Sequence, residues 1–252
     1  MSVQGKTAII TGSTSGIGQA AAETLARHGA RVLISGRDRE RGEGIVRGIT
    51  ESGGDAHFLQ ADLADRSSPD RLVREALGRW GRIDIIVNNA ALVCHKPVDE
   101  ITHEDWDRLL AVNLKAPFFL VQAALAHLKE NGGSVINISS INAIHNDSNN
   151  LVYDTIKAGL NHMTRGLALD LREAGIRFNV LMPGGIDTPL LNQWFGQFAG
   201  SPEEADRMAE AAKQEPNVGS PQQIADAVLF LSGSKSSWVN GAIVPVDGGY
   251  HL

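Results

Sequence analysis

The chain has 252 residues, a net charge of −6 and one cysteine. That length suits one large α/β domain or two small ones, and the charge, spread without a basic block, argues against nucleic acid or an anionic membrane surface as a partner. Cys94 alone allows no internal disulfide, no His, Cys and carboxylate group stands at metal-ligand spacing, no apolar run looks long enough to span a bilayer, and Met1 to Lys6 has no apolar signal region; a soluble, cytoplasmic protein without a metal is expected.

Thr7 to Thr11 is a β-branched apolar run that reads as a buried strand. Gly12-Ser13-Thr14-Ser15-Gly16-Ile17-Gly18 follows at once, and Gln19 to His28 has helical apolar spacing closed by Gly29. A strand, a Gly-rich turn and a helix N-terminus make a phosphate cradle, because glycine lets a ligand approach the backbone and the first helical N–H groups lack partners. The spacing is Gly-x-x-x-Gly-x-Gly rather than the common Gly-x-Gly-x-x-Gly.

Arg31 to Ser35 is the second strand, and Gly36-Arg37-Asp38 stands at its tip, where NAD-binding chains often place a carboxylate for the ribose 2′-OH. Arg37 suits a 2′-phosphate and leans toward NADP. Asp38 keeps NAD open, although it reads equally as the N-cap of the charged helix Arg39 to Glu51. Asp55 to Gln60 is the third strand, with Asp62-Leu63 beyond it, and a carboxylate there suits the adenine amino group. A helix over Ser67 to Trp80 and a strand over Ile83 to Val87 lead into Asn88-Asn89-Ala90-Ala91.

Thr102 to Lys129 reads as a long helix capped near Thr102 or His103, with Asn113 buried among apolar neighbours and in need of partners. Ser134 to Ser140 is the fifth strand, Ile141 to Asn150 a polar loop, and Leu151 to Glu173 a helix capped by Asn149 or Asn150. On it Tyr153 and Lys157 lie one turn apart on the same face. A cation beside a phenol lowers its pKa from about 10, which suits general acid–base work. Ile176 to Leu181 is the sixth strand. Asp187 to Asn217, with Trp194, Phe195 and Phe198, reads as a mobile helical flap, followed by a helix over Pro221 to Ser232 and a last strand over Ala242 to Val246. Alternating strands and helices with short turns predict one doubly wound parallel α/β sheet covered on both faces.

Thr11-Gly12-x-x-x-Gly16-x-Gly18, Asn88-Asn89-Ala90, Asn113, Ser140, Tyr153-x-x-x-Lys157 and Pro183-Gly184 resemble, in order and spacing, the classical short-chain dehydrogenases/reductases. The resemblance covers essentially the whole chain. It implies a single Rossmann-type domain with strand order 3-2-1-4-5-6-7, a homotetramer, and hydride transfer between NAD(P)(H) and a secondary alcohol or ketone. It makes Tyr153 the acid–base, Lys157 the group that lowers its pKa and holds the nicotinamide ribose, and Ser140, rather than Ser139, the group that orients the substrate oxygen. Asn113 would hold a water that connects Lys157 to solvent. Gly12 to Gly18, Arg37, Asp62, Leu63, Asn89 and Ala90 would line the adenine–pyrophosphate side, and Pro183, Gly184, Ile186 and Thr188 the nicotinamide side. Ala91 stands where the family usually has Gly, and Gly36-Arg37 where it often has Asp.

For the substrate pocket the expected residues are His95, Ser140, Asn142, His145 and Trp194. Sugars or polyols, 3-oxoacyl groups and cyclic ketones all remain open as substrates. A catalytically silent nucleotide sensor or scaffold on the same fold is the alternative, weakened by the presence of Asn113, Ser140, Tyr153 and Lys157 together. A sugar-nucleotide epimerase or dehydratase ranks lower, for want of an added substrate domain.

Overall fold

The computed structural model describes residues 3–197, 199–215 and 218–252. Its main sheet has seven parallel strands: β1 (Thr7–Ile10), β2 (Arg31–Gly36), β3 (Asp55–Gln60), β4 (Ile85–Asn88), β5 (Ser134–Ile138), β6 (Arg177–Pro183) and β9 (Ile243–Val246). They lie in the order β3-β2-β1-β4-β5-β6-β9, the doubly wound order expected. A two-stranded parallel ribbon, β7 (Gly185–Ile186) with β8 (Val218–Gly219), was not legible in the sequence.

The strands are near-continuous apolar runs because helices cover both faces of the sheet. Alternate side chains divide between two cores. Ala8, Ile10, Val32, Ile34, Ile85 and Val87 pack on α1 (Gly16–Arg27), α2 (Arg39–Glu51) and α9 (Pro221–Ser232). Ile9, Leu33, Ile86, Val135 and Phe178 pack on α3 (Ser68–Trp80), α5 (Ala116–Asn131) and the C-terminal part of α6 (Leu151–Asp170). The chain reverses its strand order between β1 and β4, and an open α/β sheet binds ligands in the crevice beyond the carboxyl ends of the strands at that point. All site elements described below lie at this end.

The long helix predicted from Thr102 is one helical run from α4 (His103–Leu110) through a π-helical turn at Ala111–Lys115 into α5. Thr102 caps it in a reciprocal capping box with Asp105. Contrary to the sequence expectation, His103–Asn131 is long and apolar enough to cross a membrane by length and composition. Leu120, Val121, Ala124 and Leu128 instead bury its apolar face against the sheet. Beyond β6, α7 (Pro189–Gly196) and α8 (Pro202–Lys213) form the segment read as a flap; Phe198 lies outside the described residues.

Candidate active site

The turn after β1 is shaped by close packing. Gly12 has a φ of +62°, and a Cβ there would come within 2.7 Å of the Ala90 Cα. A Cβ on Gly18 would collide with the Asn89 amide and the Gly12 carbonyl. Asn89 and Ala90 are held against this turn: the Thr11 hydroxyl accepts from both their backbone N–H groups at 3.1 Å, and the Asn89 amide donates to the Thr11 and Gly12 carbonyls at 3.0 Å. The first turn of α1 carries no acidic residue, so its N-terminus presents an unopposed positive dipole end.

A cleft of about 200 Å³ opens over this turn, lined by Gly12, Thr14, Ser15, Gly16, Ile17, Arg37, Asp62, Leu63, Asn89 and Ala90. Two residues expected there are absent from its wall. Ser13 is fully buried; its hydroxyl donates to the Ile10 carbonyl at 2.7 Å and accepts from Ser35 N at 3.0 Å, tying the turn to β2. Gly18 faces Asn89, and its role is clearance. At the tip of β2, Arg37 borders the cleft, whereas the Asp38 carboxylate accepts from Arg41 N at 3.0 Å as the N-cap of α2.

A second cleft of about 360 Å³ adjoins the first and shares Ile17, Asn89, Ala91, Thr188 and Leu190 with it. Ser140, Tyr153 and Lys157 all line it, as do Pro183, Gly184 and Ile186. Tyr153 and Lys157 are both buried on α6, and the Lys157 ammonium donates to the Ile138 carbonyl at 2.9 Å. Ser139 borders the same cleft, its hydroxyl donating to the Lys157 carbonyl at 3.3 Å. Contrary to the expectation of a lowered phenol pKa, burial pushes Tyr153 up to about 12, opposed in part by Ser140. Burial likewise pushes Lys157 down to about 7. Desolvation of the pair thus outweighs the attraction between cation and phenolate that the spacing suggests.

Asn113 sits in the π-helical turn with 1% of its surface exposed. Its carboxamide grips one backbone unit, accepting from Leu92 N and donating to the Leu92 carbonyl, both at 2.8 Å. The side chain therefore latches the segment after β4.

Residues 12–251 match the family model described as enoyl-(acyl carrier protein) reductase, a short-chain dehydrogenase/reductase model. FrzI of Cladobotryum sp, a short-chain dehydrogenase/reductase, is 39% identical over 97% of this chain and 95% of that protein. The 2,5-dichloro-2,5-cyclohexadiene-1,4-diol dehydrogenase LinX of Sphingobium indicum is 32% identical over 98% and 97%. The structure of a blue fluorescent protein from a metagenomic library in complex with NADPH superimposes with a TM-score of 0.88, is 34% identical and covers 100% of both chains.

The chain is a short-chain dehydrogenase/reductase.

It is an NAD(P)-dependent oxidoreductase acting between alcohol and ketone. Within this dehydrogenase/reductase the expected pocket residues divide. Ser140, Asn142 and Trp194 line the second cleft. His95 and His145 stand one layer back: His95 packs edge-on against Trp194 with centroids 5.4 Å apart, and His145 against Tyr250 at 6.4 Å. Sequence reasoning missed Tyr250, which reaches the cleft from the C-terminal tail, and Asp154, whose burial beside Tyr153 no pattern announced. Cys94 is buried, the small packed side chain expected.

Proposed function

We propose that this enzyme moves a hydride between NADP(H) and a ring-sized secondary alcohol or ketone, with Tyr153 exchanging the proton at the substrate oxygen. One observation carries the reading: Tyr153, Ser140 and the buried Lys157 together line the second cleft, which adjoins the glycine-turn cleft. The dinucleotide fits the first cleft on the evidence of the turn itself, which a Cβ at Gly12 would close, and of the helix N-terminus aimed into it. Gly12, Thr14, Ser15, Gly16, Ile17, Asp62, Leu63, Asn89 and Ala90 would hold its adenine–pyrophosphate side, and Lys157, Pro183, Gly184, Ile186 and Thr188 its nicotinamide side. The cofactor supplies or takes the hydride. In reduction Tyr153 gives its proton to the developing alkoxide, while Ser140 hydrogen-bonds that oxygen and fixes its place. Lys157 stabilises negative charge on Tyr153 as the proton leaves.

Arg37 on the cleft and Asp38 committed to the helix cap support NADP over NAD. The substrate wall is mainly apolar, with Val93, Leu190, Leu191, Trp194, Phe195 and Tyr250, which favours a ring over a polyol. A relative named for a cyclic diol agrees with that choice. α7 buries none of its residues, and the 187–217 segment acts as a flap that closes over the substrate. A homotetramer in the cytoplasm is the working form. The test is consumption of NADPH and NADH with cyclic ketones, sugars and 3-oxoacyl thioesters. Turnover highest on cyclic ketones with NADPH is expected; turnover confined to sugars or acyl thioesters would overturn the substrate choice.

A further inference from the structure

α6 carries a buried ionisable group that the reaction as described does not use. Asp154, the residue after Tyr153, is 2% exposed, and a buried carboxylate persists only when its oxygens find donors. Among the described residues its donors come from the segment between β5 and the start of α6. Oδ1 accepts from Asn142 Nδ2 at 3.1 Å and from Asn150 Nδ2, and Oδ2 accepts from the Asp147 backbone N–H at 3.2 Å. Asp147, placed by that bond, accepts from the same Asn142 Nδ2 at 2.8 Å.

Two carboxylates therefore converge on one end of the Asn142 carboxamide. Carboxylate oxygens only accept, so that end is the amino group, and the carbonyl oxygen faces the other way. There it meets Ser140 Oγ at 3.2 Å. An amide carbonyl also only accepts, which draws the single Ser140 proton toward Asn142. Ser140 Oγ already accepts from Asn142 N at 3.1 Å, and with its proton drawn to Asn142 it withholds from Tyr153, on the same cleft wall, the donor bond that would lower the phenol's pKa.

We propose that Asp154 is a positioning residue: through the Asn142 carboxamide it aims the Ser140 hydroxyl away from the phenol oxygen and holds Tyr153 protonated, ready to donate. The catalytic meaning of this order rests on the proposed role of Tyr153, but the order itself belongs to the free protein. In ketone reduction the site starts with the proton it delivers from the phenol to the substrate oxygen. In alcohol oxidation Ser140 must first release Asn142 before its O–H can support the phenolate that accepts the substrate's proton. The charge of Asp154 acts in the same direction, opposing phenolate formation on its neighbour. The other groups around Tyr153 are Lys157 on the same helix, Asp147 with His145 beside it on the preceding loop, and buried Cys94 from the segment after β4. His95 lies behind the Trp194 ring that packs on Tyr153.

The chain has two tyrosines, so in a Tyr250→Phe background the phenolate absorbance reports Tyr153 alone and needs no substrate. Stopped-flow jumps from about pH 8 to a series between about 9 and 13 read that absorbance before the chain unfolds, bracketing the ordinary phenol range near 10. Asp154→Ala is expected to lower the midpoint by about one unit or more, Asn142→Ala to lower it as well, and the double variant to go little further. Adding Ser140→Ala to Asp154→Ala is expected to bring the midpoint back up by at least half of the shift, because the fall needs Ser140 as a donor. A midpoint unmoved by Asp154→Ala or by Asn142→Ala overturns the proposal. So does a fall that Ser140→Ala leaves in place, which is the outcome of simple loosening and water entry. These outcomes stand apart from the assay of function, which reads turnover.

Discussion

The Lys157 ammonium lies 5.6 Å from the centre of the Tyr153 ring, and both groups are buried on one face of α6. They form the part of the site least favourable to the fold. Lys157 makes a hydrogen bond to the Ile138 carbonyl, and burial drives its pKa down to about 7.

That cost has a sign and a pH window. The unfolded chain holds the Lys157 proton up to its ordinary pKa of 10.5, while the folded chain lets it go near 7. Between those values the unfolded state binds more protons, so stability rises with pH, and the penalty is complete below about 7. Replacing Lys157 by Met removes the buried charge and keeps the bulk. The Lys157→Met variant is expected to melt about 5 °C higher than the parent near pH 6, with the gain gone near pH 10, and to lose turnover. Melting curves of both proteins across that range check it; a gain that does not change with pH would point to packing instead.

Arg37 and Asp38 are neighbours with different occupations. The Arg37→Ala variant is expected to raise KM for NADP by about tenfold or more and to change KM for NAD little. Asp38→Ala is expected to cost about 1 kcal/mol of stability through the lost cap of α2, with the NADP to NAD ratio unchanged. Initial rates with each cofactor and denaturant unfolding separate the two. Equal effects of Arg37→Ala on both cofactors would remove its role at the 2′-phosphate.

Asn113 holds the Leu92 backbone by two hydrogen bonds in a buried π-helical turn. Asn113→Leu leaves the Leu92 N–H and carbonyl without these partners and is expected to destabilise the protein by about 2–4 kcal/mol. Unfolding in urea measures this directly, and a loss below about 0.5 kcal/mol would mean that the latch is dispensable.

Much of the fold was legible because its strands are buried on both faces. Runs such as Thr7 to Ile10 and Arg31 to Ser35 carry β-branched and apolar residues without the alternation that blurs half-exposed strands. The glycine turn was legible for a related reason, since Gly12 and Gly18 stand where no side chain fits. Periodicity carried Tyr153 and Lys157 to one face, but it reports neighbours along a helix and says nothing of depth. Depth is what reversed the expected phenol shift. The same limit explains Ser13, whose polar side chain suited a ligand on paper and serves the backbone in the fold. His95 and His145 failed as lining residues because aromatic rings from distant segments, Trp194 and Tyr250, stand against them. No local pattern encodes such contacts.

The most direct test of the whole account is the Tyr153→Phe variant, which deletes one hydroxyl from a buried ring. NADPH fluorescence gives cofactor affinity, and NADPH consumption with the best ketone gives turnover. The account predicts a Kd within about threefold of the parent and a fall in kcat of about a thousandfold or more. A variant that binds NADPH normally and retains turnover within about tenfold of the parent would contradict the placement of proton transfer at Tyr153.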